Sequence, residues 1–267
     1  MYGEEELQGD RKQWLWWAVP ILVVAALGGA LYYGRQHKQK PVVEHVQPPP
    51  VAPAAETPLH HPIEPAAADT TPLPELGASD AGIQNSLSGI FGRSLESFLV
   101  PKDIVRHVVT TVDNLPRKKT AVQLWPLQPT AGEFVVSGTD ELTLSADNFA
   151  RYEPLMKILK NTDAATVATL YKRYYPLFQQ AYVELGYPDG YFNDRLIAVI
   201  DHLLETPTVQ GPIKVTQPSV HYQFADPALE EKSAGQKLLI RMGNGNAAAI
   251  KMKLRELRRE IAKRPAS

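Results

Sequence analysis

The densest polar set in this 267-residue chain is Asp189, Asn193, Asp194, Arg195, Asp201 and His202. A carboxylate beside a histidine is the raw material of general acid–base chemistry, and Asp201 with His202 invites that reading. Adjacent residues on a helix point about 100° apart, so these two do not form a dyad with each other. Asn193 and Asp194 are also ordinary helix-opening residues, and Asp194 to Arg195 reads as structural pairing. Asp189 and Asn193 lack the alternating oxygen ligands of a calcium loop. Tyr187 and Tyr191 bracket Pro188-Asp189-Gly190, a turn signal, and are expected to be partly exposed. With the polar set they make one candidate polar and aromatic surface site.

Tyr171, Tyr174, Phe178 and Tyr182 could line a groove for a sugar ring or a peptide, since tyrosine offers both a face and a hydroxyl. Their three-to-four-residue spacing is that of a buried stripe, and core is the expected role. His107, His202 and His221 are scattered. No HExxH, GxSxG, GxxxxGK[ST] or GxGxxG motif stands at a suitable place, and no ligand spacing suggests zinc. Neither a catalytic constellation nor a cofactor is expected.

The last helix carries a second candidate, a basic contact face of Lys251, Arg255, Arg258 and Arg259. Its apolar stripe is Ile250, Leu254, Leu257 and Ile261. Such a face suits anionic lipid, nucleic acid or a partner helix, but more often it is the solvated side of a helix lying on its own domain. Arg117, Lys118 and Lys119 form a smaller basic patch.

The elements that must position these residues fall in 77–264, which is expected to be one α-rich globular domain with short β-strand pairs, an α+β fold. Ser79 is placed to cap a helix, and Pro101 suits the first turn of the next. Val122 to Leu127, Phe134 to Ser137 and Glu141 to Leu144 read as short strands. Ser145 opens a helix, and a long one follows from about Ala164 to Leu185, closed by Gly186 and kinked at Pro176. Asn193 to Leu204 is helical. Ile213 to Thr216 and Val220 to Phe224 form a second strand pair. Asp226-Pro227 starts a short helix, Ser233 and Gln236 form a capping box, and Asn246 caps the terminal helix.

Ahead of the domain lies an uncharged apolar run, Trp14 to Tyr33. At about 1.5 Å per residue it is roughly 30 Å long, a hydrocarbon-core thickness. Trp14, Trp16, Trp17, Tyr32 and Tyr33 mark its ends as interfacial aromatics do. Residues 1–13 are a short tail, 14–33 a single-pass transmembrane anchor, and 34–76 a Pro/Ala-rich disordered linker. A cleaved signal peptide fits less well, because the apolar run is too long and the leader carries Glu4, Glu5, Glu6 and Asp10. Extended as polyproline II, the tract from Pro41 could reach on the order of 110 Å. The flanking positive charges lean slightly toward a cytoplasmic C-terminal side, whereas the long spacer favours a periplasmic one. The net charge of −1 hides an acidic N-terminal part and a basic last thirty or so residues, and the absence of cysteine permits an oxidising compartment.

The strings from Tyr175 to Pro207 (YPLFQQAYVELGYPDGYFNDRLIAVIDHLLETP) and Ser233 to Gly243 (SAGQKLLIRMG) carry a resemblance. So do TVDNLPR (Thr111 to Arg117) and NFARYEPL (Asn148 to Leu155). Here the chain resembles the bacterial domain of unknown function family 3014, over nearly all of Gly77 to Lys263. The resemblance implies a membrane-anchored envelope protein of a Gram-negative bacterium and brings no activity, substrate or site. The resulting expectation is a periplasmic module held in the bacterial inner membrane that binds or organises envelope components, with envelope proteins or peptidoglycan as partners. Two alternatives stand beside it. One is a cell-wall or envelope hydrolase using carboxylates between Asp189 and Asp201. The other is a cytoplasm-facing binder of anionic lipid or nucleic acid through the basic terminal helix, nucleic acid being the less favoured partner.

Overall fold

Nine α-helices and two antiparallel strand pairs make up the described part of the chain, residues 60–63 and 71–262 of a computed structural model. The helices are α1 (Asp80–Phe91), α2 (Ile104–Asn114), α3 (Asp147–Ala150), α4 (Glu153–Asn161), α5 (Ala164–Glu184), α6 (Phe192–Leu204), α7 (Pro227–Glu230), α8 (Ala234–Arg241) and α9 (Asn244–Ile261). Strand β1 (Val136–Ser137) pairs with β2 (Thr143–Leu144), and β3 (Val215–Thr216) pairs with β4 (Gln223–Phe224). A bridge between Thr143 and Lys214 joins the two pairs edge to edge. The fold is therefore mainly helical with short strand pairs, as the patterning predicts. The apolar run 14–33 lies outside the described residues; among these, no helix is long and apolar enough to cross a membrane.

The core follows from the stripes. Ile104, Val105 and Val109 of α2 meet Tyr174, Leu177, Ala181 and Tyr182 of α5, together with Phe192 at the head of α6. Helix α9 is central: its Ile261 is buried among Ala168, Ile197 and Ile200. Its Ile250 and Leu254 pack beside Met156, Val199, Leu203 and Leu239. The strand pairs close a separate cluster of Leu144, Val215, Phe224 and Ile240. Leu73 and Leu76, ahead of Gly77, also pack into the α2–α5 core.

Several local expectations give way to tertiary contacts. Helix α2 begins at Ile104 rather than near Pro101. Asp103 is left-handed at φ 52°, and the Asp80 carboxylate accepts from the Asp103 and Ile104 amides at 2.8 and 2.9 Å. The segment from Val122 holds a 3-10 turn, Val122–Leu124, and a single bridge from Leu127 to Leu99 in place of a strand. The helix opened by Ser145 is two helices, because Pro154 in the first turn of α4 has no amide to continue the ladder from α3. Helix α5 runs through Pro176 over 21 residues.

The end of α5 is a Schellman motif. Gly186 at φ 114° donates to Val183, and Tyr187 donates to Tyr182. The accompanying apolar contact is aromatic: the Tyr182 and Tyr187 rings stack with centroids 4.6 Å apart. Gly243, not Asn246, precedes α9, and the Asn246 amide donates instead to Phe149 and Met242 carbonyls. A side chain at Gly243 would meet the Phe149 ring at 2.8 Å, so two structural demands, positive φ and close approach, select glycine there.

Candidate functional site

The turn from Gly186 to Tyr191 delivers the polar set to the N-terminal end of α6. Neither Asn193 nor Asp194 is the cap of that helix; Tyr191 precedes it and makes no side-chain cap. The first-turn amide of Phe192 is satisfied from outside, by the Gln179 side-chain oxygen at 2.9 Å. Gln179 also donates to the Gly190 carbonyl at 2.7 Å and accepts from the Tyr175 hydroxyl at 3.0 Å. One α5 side chain thus sets both the loop and the start of α6.

Freed from capping, Asn193 and Asp194 hold the chain upstream of the domain. The Asp194 carboxylate accepts from the backbone amides of His60 and His61 at 3.0 and 2.8 Å. Asn193, fully buried, donates to the His61 carbonyl at 2.9 Å and to the Ile261 carbonyl at 3.3 Å. Its side-chain oxygen accepts from Tyr171 at 3.2 Å. The chain entering the domain and the last turn of α9 therefore meet on a single side-chain amide. Burial pushes the Tyr175 phenol up to about 12 and the Tyr171 phenol well above its ordinary value, with the Asp194 charge adding to both. Both stay protonated at neutral pH and serve as hydrogen-bond donors.

Arg195 does not pair with Asp194. It crosses to α2, where its Nε lies 3.0 Å from the Asp113 carboxylate and its guanidinium donates to the Asp113 carbonyl at 2.7 Å. Arg117 and the Tyr187 hydroxyl contact the other oxygen of this buried carboxylate. Sequence reasoning left Asp113 out of the site. Its signal was present: an acidic residue four positions after Val109 stands on the buried face of α2.

Asp201 and His202 diverge, as their helical positions require. Asp201 binds Arg258 of α9 through two bonds of 2.6 and 2.8 Å. His202 Nε2 lies 2.8 Å from Ser233 Oγ, a nucleophile–base distance. Ser233 Oγ accepts from the Gln236 amide at 3.2 Å, and the Ala234 and Gly235 amides donate to Arg117 and Leu115 carbonyls at 2.7 and 2.9 Å. The Ala234, Gly235 and Gln236 amides are thus all engaged within the fold. Of the capping box, the Ser233 half is made, while the Gln236 side chain donates its Nε2 to the His202 carbonyl. Asp189 makes no part of these networks. Tyr187 is inside one, and Tyr191 is exposed.

Of the basic face, Lys251 donates to the Thr206 carbonyl beyond the C-terminus of α6, and Arg258 is held by Asp201. Arg255 and Arg259 are exposed, beside Met252 at 51% exposure. Among the described residues, no group of three histidine or acidic side chains could hold a metal ion.

Apolar concave features among the described residues lie elsewhere, between helices. An apolar cleft of about 230 Å³ opens where α1 and α2 face α5, with Leu87, Phe91, Val108, Val167 and Leu257 in its walls. Phe91, Val167 and Leu257 also border a second apolar cavity of about 150 Å³, which ends at Thr162 and Lys253. Phe91 and Thr162 in turn border a polar, open hollow of about 520 Å³ with Ser94, Ser97, Lys157 and Asn161.

Residues 104–258 match the family described as Protein of unknown function (DUF3014). This is more than half of the chain, and the chain belongs to that family. No curated protein and no solved structure matches it.

Proposed function

For a member of the DUF3014 family built in this way, we propose a non-catalytic role: a single-pass protein of the bacterial inner membrane whose domain binds or organises envelope components in the periplasm. One observation carries the non-catalytic part. Asn193, Asp194, Arg195, Asp201 and His202 each spend polar atoms on positioning helices or the entering chain: the first two hold His61, and the others go separately to Asp113, Arg258 and Ser233. The anchored, periplasmic part is supported by the apolar run Trp14 to Tyr33 and the proline-rich tract behind it.

C-terminal fusions to alkaline phosphatase and to a reporter active only in the cytoplasm test the location; activity of the cytoplasmic reporter alone overturns it. Asp201→Asn and His202→Gln test the absence of catalysis. Stability and an in-cell complementation phenotype are measured on the same variants, and function is expected to track fold. A stable, correctly localised but inactive His202→Gln protein would revive the hydrolase alternative.

A further inference from the structure

We propose that the cleft beneath α1 binds one acyl chain, with an anionic head group held at the polar hollow beside Lys157. The three spaces share walls: Val167 and Leu257 border the first two, Thr162 the second and third, and Phe91 all of them. The 230 Å³ cleft is walled by apolar side chains, and the Tyr171 and Tyr174 hydroxyls nearby are turned to Asn193 and Ser86. Its 150 Å³ neighbour is apolar up to Lys253, whose ammonium lies 2.9 Å from the Thr162 carbonyl. The 520 Å³ hollow then offers hydroxyls, an amide and the exposed Lys157.

An apolar cavity of about 150 Å³ is enough to take benzene. Two such apolar spaces with shared walls, beside a polar hollow that carries Lys157, fit a long, narrow hydrocarbon with a charged end better than a compact ring. A peptide helix would leave the polar hollow unmatched and would have no backbone partners in the cleft. Phe91 borders all three spaces and is the last residue of α1, followed by Gly92 at φ 70°. It is therefore the side chain that separates tail from head. Helix α1 lies outside the family match, so the cover is built by residues that the 104–258 match does not include.

This inference names a ligand for the binding module and does not depend on which side of the membrane the domain faces. The test uses the full-length chain in phosphatidylcholine vesicles carrying a trace of diazirine-labelled palmitate or diazirine-labelled lysophosphatidylglycerol. Adducts are mapped by peptide mass spectrometry. Adducts are expected on peptides of α1, α5 and α9, and the productive probe identifies the head group as carboxylate or phosphodiester. Val167→Trp and, at the mouth, Phe91→Trp should each lower them at least tenfold. Lys157→Glu should lower them severalfold without affecting a neutral diazirine-labelled hexadecanol. Circular dichroism melts confirm that each variant is folded. Cleft labelling that is absent, or unchanged in both tryptophan variants, overturns the proposal. Loss of labelling at Trp14 to Tyr33 instead counts against the anchor alone.

Discussion

Arg195 holds Asp113 at two places at once, a carboxylate oxygen at 3.0 Å and the main-chain carbonyl at 2.7 Å. Because Asp113 sits near the end of α2 and Arg195 in the first turns of α6, this pair fixes the crossing of two helices that bury the central core. The Asp113 side chain is only 3% exposed, so its charge is compensated by Arg195, Arg117 and the Tyr187 hydroxyl rather than by water.

Replacing one member of such a buried pair leaves the other uncompensated. Asp113→Ala should cost about 3 kcal/mol in urea unfolding, and Arg195→Ala a similar amount. The double variant should cost clearly less than the two together, since the residues share one interaction. Additive losses would show that the pair does not act as a unit.

Asp194→Ala should release the entering chain with little effect on the core. Hydrogen exchange at His60 and His61 should rise to the rate of an open chain, while global stability falls by about 1 kcal/mol. Asn193→Ala should cost more, about 2 to 3 kcal/mol, because it leaves the buried Tyr171 hydroxyl without its acceptor and Ile261 without its donor.

Gly235→Ala should destabilise by about 1 to 3 kcal/mol, because the added carbon would lie 2.6 Å from a Leu203 methyl and 3.2 Å from Leu115. Gly243→Ala adds backbone strain at φ 84° to a clash with Phe149, and its thermal midpoint should fall further. Equal midpoints for these variants and the parent would refute the close packing of α8 and α9.

Glu230 supplies a pH test. Burial pushes its carboxyl up, but Lys237, the Phe224 amide and the Arg241 charge together outweigh burial and bring it below the ordinary 4.5. A lowered carboxyl stabilises the fold fully above the unfolded value of 4.5 and loses that contribution as pH falls through its own lower value. Glu230→Gln should therefore be less stable than the parent at pH 7, and the gap should close on acidification below pH 4.5. A gap that widens in acid would reverse the sign.

The helices were legible wherever an apolar stripe repeats with a long period, as in α5, α6 and α9, and the two strand pairs from their short punctuated runs, whereas the similar run from Val122 to Leu127 holds a 3-10 turn and one bridge. Errors fell where a partner distant in sequence supplies what a local residue was expected to supply. Asp80 determines where α2 starts, Gln179 does the capping expected of Asn193, and Ser233 completes only half a box because Gln236 is claimed by His202. The polar set clusters at this turn for an architectural reason: a dense polar set is also what a junction of several helices needs. Asp113 and the cleft escaped because each is made by elements far apart in the chain.

The junction at Asn193 also has a mechanical meaning. Among the described residues, a pull from the N-terminal side meets Asp194 and Asn193 at His60 and His61 before Leu73 or Leu76 in the core. The first of the described bonds to bear load are thus two amides on one carboxylate and a carbonyl on the same side-chain amide that holds the end of α9. Under sustained tension the domain would first lengthen its leash by peeling off this short stretch and would keep its helices. Slack would let the stretch settle back. Asn193 and Asp194 would then act as a yielding stop between the pull of the N-terminal chain and the helices behind it.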